Sequence, residues 1–253
     1  MPFPVNLKSK YSYKLIRLGR NKDGGYLVDK KSIMKFKCLV IIGISTDWSF
    51  EESFKKRKSV PIYCYDHSLT TGFFVVYAIK SFLQLFQGKI SPFLLAIKTV
   101  IKYFFFFQAP VRLYKERIGC ANEKVLLSIN EVISRIPKKY REQVFIKMDI
   151  EGSEYRVLDE LVDNASIFSG LVIEFHDADL HIDWISNFLN QFSLELIHVY
   201  ANNNWGLSSD DNAQLLEMTL SRYFTVISSK SSLPHALDRT NNIALPEIAL
   251  EFK

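Results

Sequence analysis

Residues 143–158, QVFIKMDIEGSEYRVL, leave few choices to the chain around them. Val144, Ile146 and Met148 alternate with Phe145 and Lys147 as in a strand. Asp149 and Glu151 then arrive where Gly152 permits a sharp turn. Beyond the turn Ser153 is placed to cap a helix whose Val157, Leu158, Leu161 and Val162 form one apolar face. Strand, acidic tip and helix in succession make the unit of an open α/β sheet, in which ligands sit outside the carboxyl ends of the strands. A lone acidic pair equally serves to solvate a loop or cap a helix. A second strand with a similar end, GLVIEFHDAD at 170–179, favours a shared acidic rim.

Two earlier runs fit the same sheet. CLVIIGI at 38–44 is continuously apolar and of strand length, as expected of a strand buried on both faces. Gly43, Ser45 and Thr46 make a small-residue turn, and after Asp47 a helix is expected over 49–56, with Phe50 and Phe54 on one side. Such a turn lets a ligand approach the backbone and the N–H groups of the helix, although no GxGxxG occurs here. VPIYCYDH at 60–67 reads as a second strand. Its terminal Asp66, about 20 residues beyond the first turn, is placed to accept hydrogen bonds from a ribose diol. Upstream, Asp23-Gly24-Gly25 between apolar runs predicts a hairpin.

From Asn122 the alternation is regular: a short strand at 125–127, a helix with Ile129, Val132, Ile133 and Ile136 inward, and the acidic-tipped unit. The strand from Gly170 follows, then an amphipathic helix through Ile182, Ile185, Phe188, Leu189 and Phe192. Strands at 194–201 and 215–222 enclose a polar loop. The order predicts a doubly wound, mostly parallel sheet with one antiparallel strand near the C-terminus.

The stretch 72–119 interrupts this pattern with two apolar, aromatic helices expected to turn at Gly88 and Pro92. It reads as a helical insertion serving as a lid, a dimer surface or a membrane contact. The run from Ser91 falls short of the roughly 20 residues a bilayer span needs and contains Lys98 and Lys102, so lying on a membrane is the form such contact would take. At 253 residues and 48% hydrophobic content, one domain over 1–253 is expected. Residues 1–118 carry 21 Lys or Arg against 7 Asp or Glu, and the remainder 11 against 20. That division suits solvated faces, an anionic acceptor or a membrane surface, and no pattern for reading nucleic acid is present. Cys38, Cys64 and Cys120 are too scattered for a disulfide framework or a CxxC metal site. With no apolar leader at the N-terminus, a cytoplasmic location is expected, with membrane association through 72–119 left open.

Four segments resemble the FkbM-like branch of the S-adenosylmethionine-dependent methyltransferases: DGGYLV at 23–28, GISTDWSFE at 43–51, IKMDIEGSEYRVL at 146–158 and LPHALDRTNNIALPEIAL at 233–250. The third is the most specific. The resemblance implies a class I methyltransferase (Rossmann-like) fold of seven strands and O-methylation of a sugar, glycan or glycolipid precursor. It also implies that Gly43, Ile44 and Ser45 hold the methionine end of S-adenosylmethionine, that Asp66 takes the ribose hydroxyls, and that Asp149 stands near the amino group or the transferring methyl. Asp47 replaces the later glycine of the family's first loop. That change and the aromatic insertion keep a second class open, a catalytically impaired protein of this fold that binds a membrane surface or a partner. A nucleotide-dependent oxidoreductase is a third reading, disfavoured by the absent GxGxxG.

Methyl transfer to a hydroxyl needs an aligned acceptor and a base for its proton. His176 is the base expected from sequence, because a neutral imidazole works near pH 7; a histidine held structurally is the alternative. A divalent cation held by Asp149, Glu174 and His176, with Asp177 adjacent, is a sharper variant. Strand alternation opposes convergence of all four. His181 and His198 are weaker ligand candidates, and His235 belongs to a flap over the site or to a surface loop. A homo-oligomer is compatible with this reading.

Overall fold

Side-chain alternation along the strands decides how this chain layers. The computed structural model describes residues 2–85, 90–119 and 126–253. In chain order the elements are β1 (Ser12–Tyr13), β2 (Leu15–Leu18), β3 (Tyr26–Asp29), α1 (Lys30–Lys35), β4 (Cys38–Ile42), α2 (Ser49–Arg57), β5 (Ile62–Tyr65), α3 (Thr71–Leu85) and α4 (Ile90–Phe106). There follow β6 (Val111–Tyr114), α5 (Ile129–Arg135), β7 (Val144–Met148), α6 (Leu158–Asp163), β8 (Phe168–Phe175), α7 (Ile182–Gln191), β9 (Glu195–Ala201), β10 (Leu216–Ser221) and β11 (Val226–Ser228).

Seven strands form one sheet in the order β6-β5-β4-β7-β8-β10-β9. Those from β4 to β8 pair in parallel, and β10 runs antiparallel to both β8 and β9. This is the doubly wound, mostly parallel sheet with a late antiparallel strand that the sequence pattern predicts. From β4 the chain winds outward to β5 and β6, then crosses back to β7, so a switch point opens between β4 and β7. One face of these two strands, Cys38, Val40, Ile42, Val144, Ile146 and Met148, packs with residues of α5, α6 and α7. The other face, Leu39, Ile41 and Phe145, packs with residues of α1, α2 and the end of α4. Cys38 and Cys64 are buried free thiols.

The stretch 72–119 is not helical throughout. Its last part forms β6, an edge strand paired with β5; one buried residue in four hides its alternation. Pro92 falls in the first turn of α4, where a missing N–H costs no helical bond. The expected turn at Gly88, the thiol of Cys120 and the strand start at Val125 lie outside the described residues. Leu127 makes only an isolated bridge to Ile118. Ser153 makes no side-chain cap; a 3-10 turn at Glu154–Val157 precedes α6 instead.

The predicted hairpin is β2 with β3, closed by a loop through Gly19 to Gly25. Gly24 has φ +78°, and a Cβ there would lie 2.6 Å from Asp47 Oδ2, which presses this loop against the turn after β4. The C-terminal tail is tied to the loop after β9: Asn203 Nδ2 donates to the carbonyls of Asn242, Leu245 and Pro246, and Asn203 Oδ1 accepts from Asn242 N–H.

Candidate active site

The turn after β4 is shaped by a steric constraint. Gly43 has φ +78°, and a Cβ there would lie 1.6 Å from the carbonyl oxygen of Asp149, so only glycine lets the ends of β4 and β7 approach this closely. Ser45 also takes a left-handed conformation, φ +50°. Asp66, at the end of β5, holds the turn in place: Oδ2 accepts from the N–H groups of Ile44 (3.1 Å) and Ser45 (2.8 Å), and Oδ1 from Ser68 N–H and Oγ–H. Burial opposes ionisation of Asp66, but these donors together hold its carboxyl below the ordinary value. Because these bonds occupy the roughly four acceptor positions of a carboxylate, a ribose diol must displace one of them, and the rotatable Ser68 hydroxyl is the one free to leave.

Asp47 does not point its carboxylate at the turn backbone. Oδ1 accepts from Ser49 N–H at the start of α2, and Oδ2 pairs with Arg20 at 3.0 Å.

Two clefts meet at the switch point. One, of about 240 Å³, is bordered by Gly43, Ser45, Asp66, Ser68, Asp149 and Glu151, with Ile118 and Ile150 among its apolar contributors. The second, of about 340 Å³, is bordered by Tyr26, Ile44, Lys147, Glu174, His176 and Trp205, and again by Ser45, Asp149 and Glu151. Thus Asp66 and Asp149 share one hollow, and Asp149 and His176 share the next. Ile44 borders the second cleft, and its side chain belongs to the core.

His176 lies just past the end of β8, with Nδ1 3.0 Å from Glu154 Oε1. When Nδ1–H donates there, Nε2 is left facing Glu151 (3.4 Å) and Asp149 (3.9 Å). Burial favours the neutral imidazole, but Glu154, Asp149 and Glu151 outweigh it and raise the pKa above its ordinary value. The Trp205 ring stands edge-on 5.3 Å away and is 44% exposed.

Beneath the rim, Lys147 is a buried cation. Its Nζ lies 3.4 Å from the Gly43 carbonyl, 3.6 Å from Asp149 Oδ2 and 5.4 Å over the Tyr26 ring. Burial disfavours its charge, but Asp149, Glu51 and Glu174 prevail and raise its pKa. Glu51 is fully buried, neither oxygen has a hydrogen-bond partner among the described residues, and burial pushes its carboxyl up to about 7.

The residues expected to gather around a cation are regrouped. Asp149, Glu151 and His176 offer ligand atoms within 4.8 Å of one another. Glu174 is not in that group: it accepts a hydrogen bond from the Tyr26 hydroxyl, and burial, then Asp149 and Glu217, push its carboxyl well above the ordinary value. Glu174, already bonded to the Tyr26 hydroxyl and with burial opposing its charge, is a poor first-choice ligand for a hard cation. Asp177 takes the left-handed conformation, φ +50°, beyond β8. His181 packs on Tyr155, and His198 pairs with Asp238 at 2.9 Å beside His235. None of these three histidines borders either cleft. The sequence reading missed Glu154 and Lys147; a lysine inside a buried parallel strand is the signal that could have found the second.

The strand order, with its switch-point clefts, defines a class I methyltransferase (Rossmann-like) fold. No protein-family model matches the chain, and no curated protein matches it in sequence. Similar solved structures include the precorrin-6y C5,15-methyltransferase from Geobacter metallireducens GS-15, at 12% identity over 75% of this chain and 85% of that one, TM-score 0.36. The fibrillarin pre-rRNA processing protein of Methanococcus jannaschii is 10% identical over 85% and 84%, TM-score 0.37. The bifunctional kinase-methyltransferase WbdD is 11% identical over 76% of this chain and 36% of its own, TM-score 0.39.

Proposed function

We propose that the protein is an S-adenosylmethionine-dependent O-methyltransferase of the FkbM-like kind, acting on a hydroxyl of a sugar, glycan or glycolipid precursor. The observation that carries this reading is Asp149, the wall between a cleft bordered by Asp66 and a cleft bordered by His176. The first cleft, with polar groups at the Gly43 turn and apolar sides, fits a nucleoside with a charged tail. S-adenosylmethionine, when bound, supplies a methyl group activated on a sulfonium. Gly43 and Ser45 bring their backbone to its tail, Asp66 faces the ribose, and the Asp149 carboxylate faces a cationic amino or sulfonium group.

The second cleft supplies what an alcohol needs. His176 Nε2 accepts the hydroxyl proton, while Glu154 fixes the ring so that this nitrogen stays turned outward. Trp205 offers a partly exposed ring on which a pyranose can stack, and the exposed Asn204 adds an amide group suited to a polyol, while the buried Asn202 amide is committed to Asp23, Glu217 and the Asn204 N–H. A divalent cation at Asp149, Glu151 and His176 would hold the acceptor oxygen and lower its pKa. It competes with His176 as base, because a coordinated Nε2 cannot take a proton.

The test is turnover of methyl-labelled S-adenosylmethionine with a panel of glycans and glycolipid precursors, with and without chelator. The expected result is labelled product from a hydroxylated acceptor, and a fall of about 10²–10⁴-fold in His176→Ala with donor binding retained. Full turnover in that variant removes His176 as base. Label appearing only on nitrogen or carbon overturns the O-methyl reading.

A further inference from the structure

The two helices that the cleft does not use have their apolar faces outward. On α3, Val75, Val76, Ile79, Phe82 and Leu83 recur at helical spacing, each about half exposed. On α4, Ile90, Leu94, Ile97, Ile101, Phe104 and Phe105 do the same, with Phe104 63% and Phe105 75% exposed. The inner sides are what hold the pair: Phe74 meets Tyr103 at 4.3 Å, and Phe106 stacks on Trp48 at 5.6 Å. A soluble surface rarely leaves an apolar area of this extent uncovered.

The charges around it select the cover. No Asp or Glu occurs between Asp66 and Glu116, whereas six Lys or Arg do. Lys80 flanks the stripe on α3, and Lys98 and Lys102 flank the one on α4, all exposed. Lys102 pairs with Glu52 at 3.4 Å, but a second copy of the same hairpin would set Lys80 and Lys98 against their like, with no acid on the hairpin to answer them. An anionic bilayer accepts both parts, aliphatic and aromatic side chains below the headgroups and ammonium groups among the phosphates. Among the described residues no helix is long and apolar enough to cross a membrane, so the pair can only lie in the interface.

We propose that α3 and α4 form a docking surface for an anionic lipid bilayer. The hairpin is rooted at the donor cleft: α3 starts five residues beyond Asp66, and Trp48, which anchors α4, stands three residues beyond Ser45. Docking therefore sets the rim of the site near the headgroups. The inference stands apart from methyl transfer, since its experiment needs no turnover.

The full chain is sedimented with phosphatidylcholine vesicles containing phosphatidylglycerol and with phosphatidylcholine alone. Binding is expected to the mixed vesicles, weakened by salt, and reduced about tenfold or more in Ile79→Glu/Leu94→Glu/Phe105→Glu, whose replaced side chains already face water. Lys80→Glu/Lys98→Glu is expected to lose the preference for phosphatidylglycerol. Circular dichroism of each variant reports the fold. Absence of the wild type from the vesicle pellet overturns the proposal, as does equal sedimentation of the triple variant. A wild-type dimer in vesicle-free buffer that the triple variant dissolves also overturns it, by assigning the stripe to a second copy.

Discussion

Burial alone would leave the imidazole of His176 neutral at pH 7, yet the carboxylates of Glu154, Asp149 and Glu151 pull its pKa upward. Two consequences run in opposite directions. The protonated ring favours the folded state, so this part of the stability is present below the ordinary imidazole value near 6.5 and is lost as pH rises through the raised folded value. In its proposed role as base His176 must be neutral, so turnover is expected to increase over that same rise. The acidic limb of the pH profile of kcat is therefore expected above the ordinary imidazole value, and Glu154→Gln should move it to lower pH without abolishing donor binding. A limb that stays in place in that variant removes Glu154 as the tuning group. Glu154 could not be read from sequence because it occupies a short 3-10 turn, where no helical or strand period marks a buried position. Asp149 and His176 were legible because each follows an apolar strand and strand ends share one rim.

Among the elements, β4 was readable from a continuous apolar run, β7 from alternation, β8 from its apolar stretch with a similar acidic end, and α7 from its period. The edge strand β6 was not, because an edge buries only part of itself and VRLY follows a run of phenylalanines that belongs to α4. The C-terminal tail was visible as a likeness and gave no hint of its anchor. That anchor is Asn203, buried, with its amide committed to three tail carbonyls and one N–H. Asn203→Ala is expected to cost about 1–3 kcal/mol in urea unfolding, since it strands buried backbone groups. Limited proteolysis should then cut the tail faster. Unchanged cleavage would mean that other contacts hold this segment, such as the Tyr200 hydroxyl donating to Glu247 and Asn241 donating to Glu217.

At the scale of the whole molecule, a ligand that seats only in the folded chain stabilises it by mass action. At about 100 times its dissociation constant, S-adenosylmethionine should add about 2.7 kcal/mol, equivalent to an upward shift of roughly 5–10 °C in Tm for a chain of this size. NAD at the same concentration should add nothing, and a larger shift with NAD would favour a dehydrogenase. Asp66→Asn should shrink the shift produced by S-adenosylmethionine, because its amide NH2 must face the N–H donors on one side of the turn; an undiminished shift would dismiss the ribose assignment. The charge division along the sequence has a spatial counterpart in the lysine-flanked hairpin, although sequence alone left lid, dimer and membrane open. The wall at Asp149 also couples the two clefts. No guest can change its seat on one side without displacing the boundary of the other, so under the proposed assignment of the clefts donor affinity and acceptor choice are expected to be inherited together. A variant selected for a bulkier alcohol is then expected to carry an altered hold on S-adenosylmethionine.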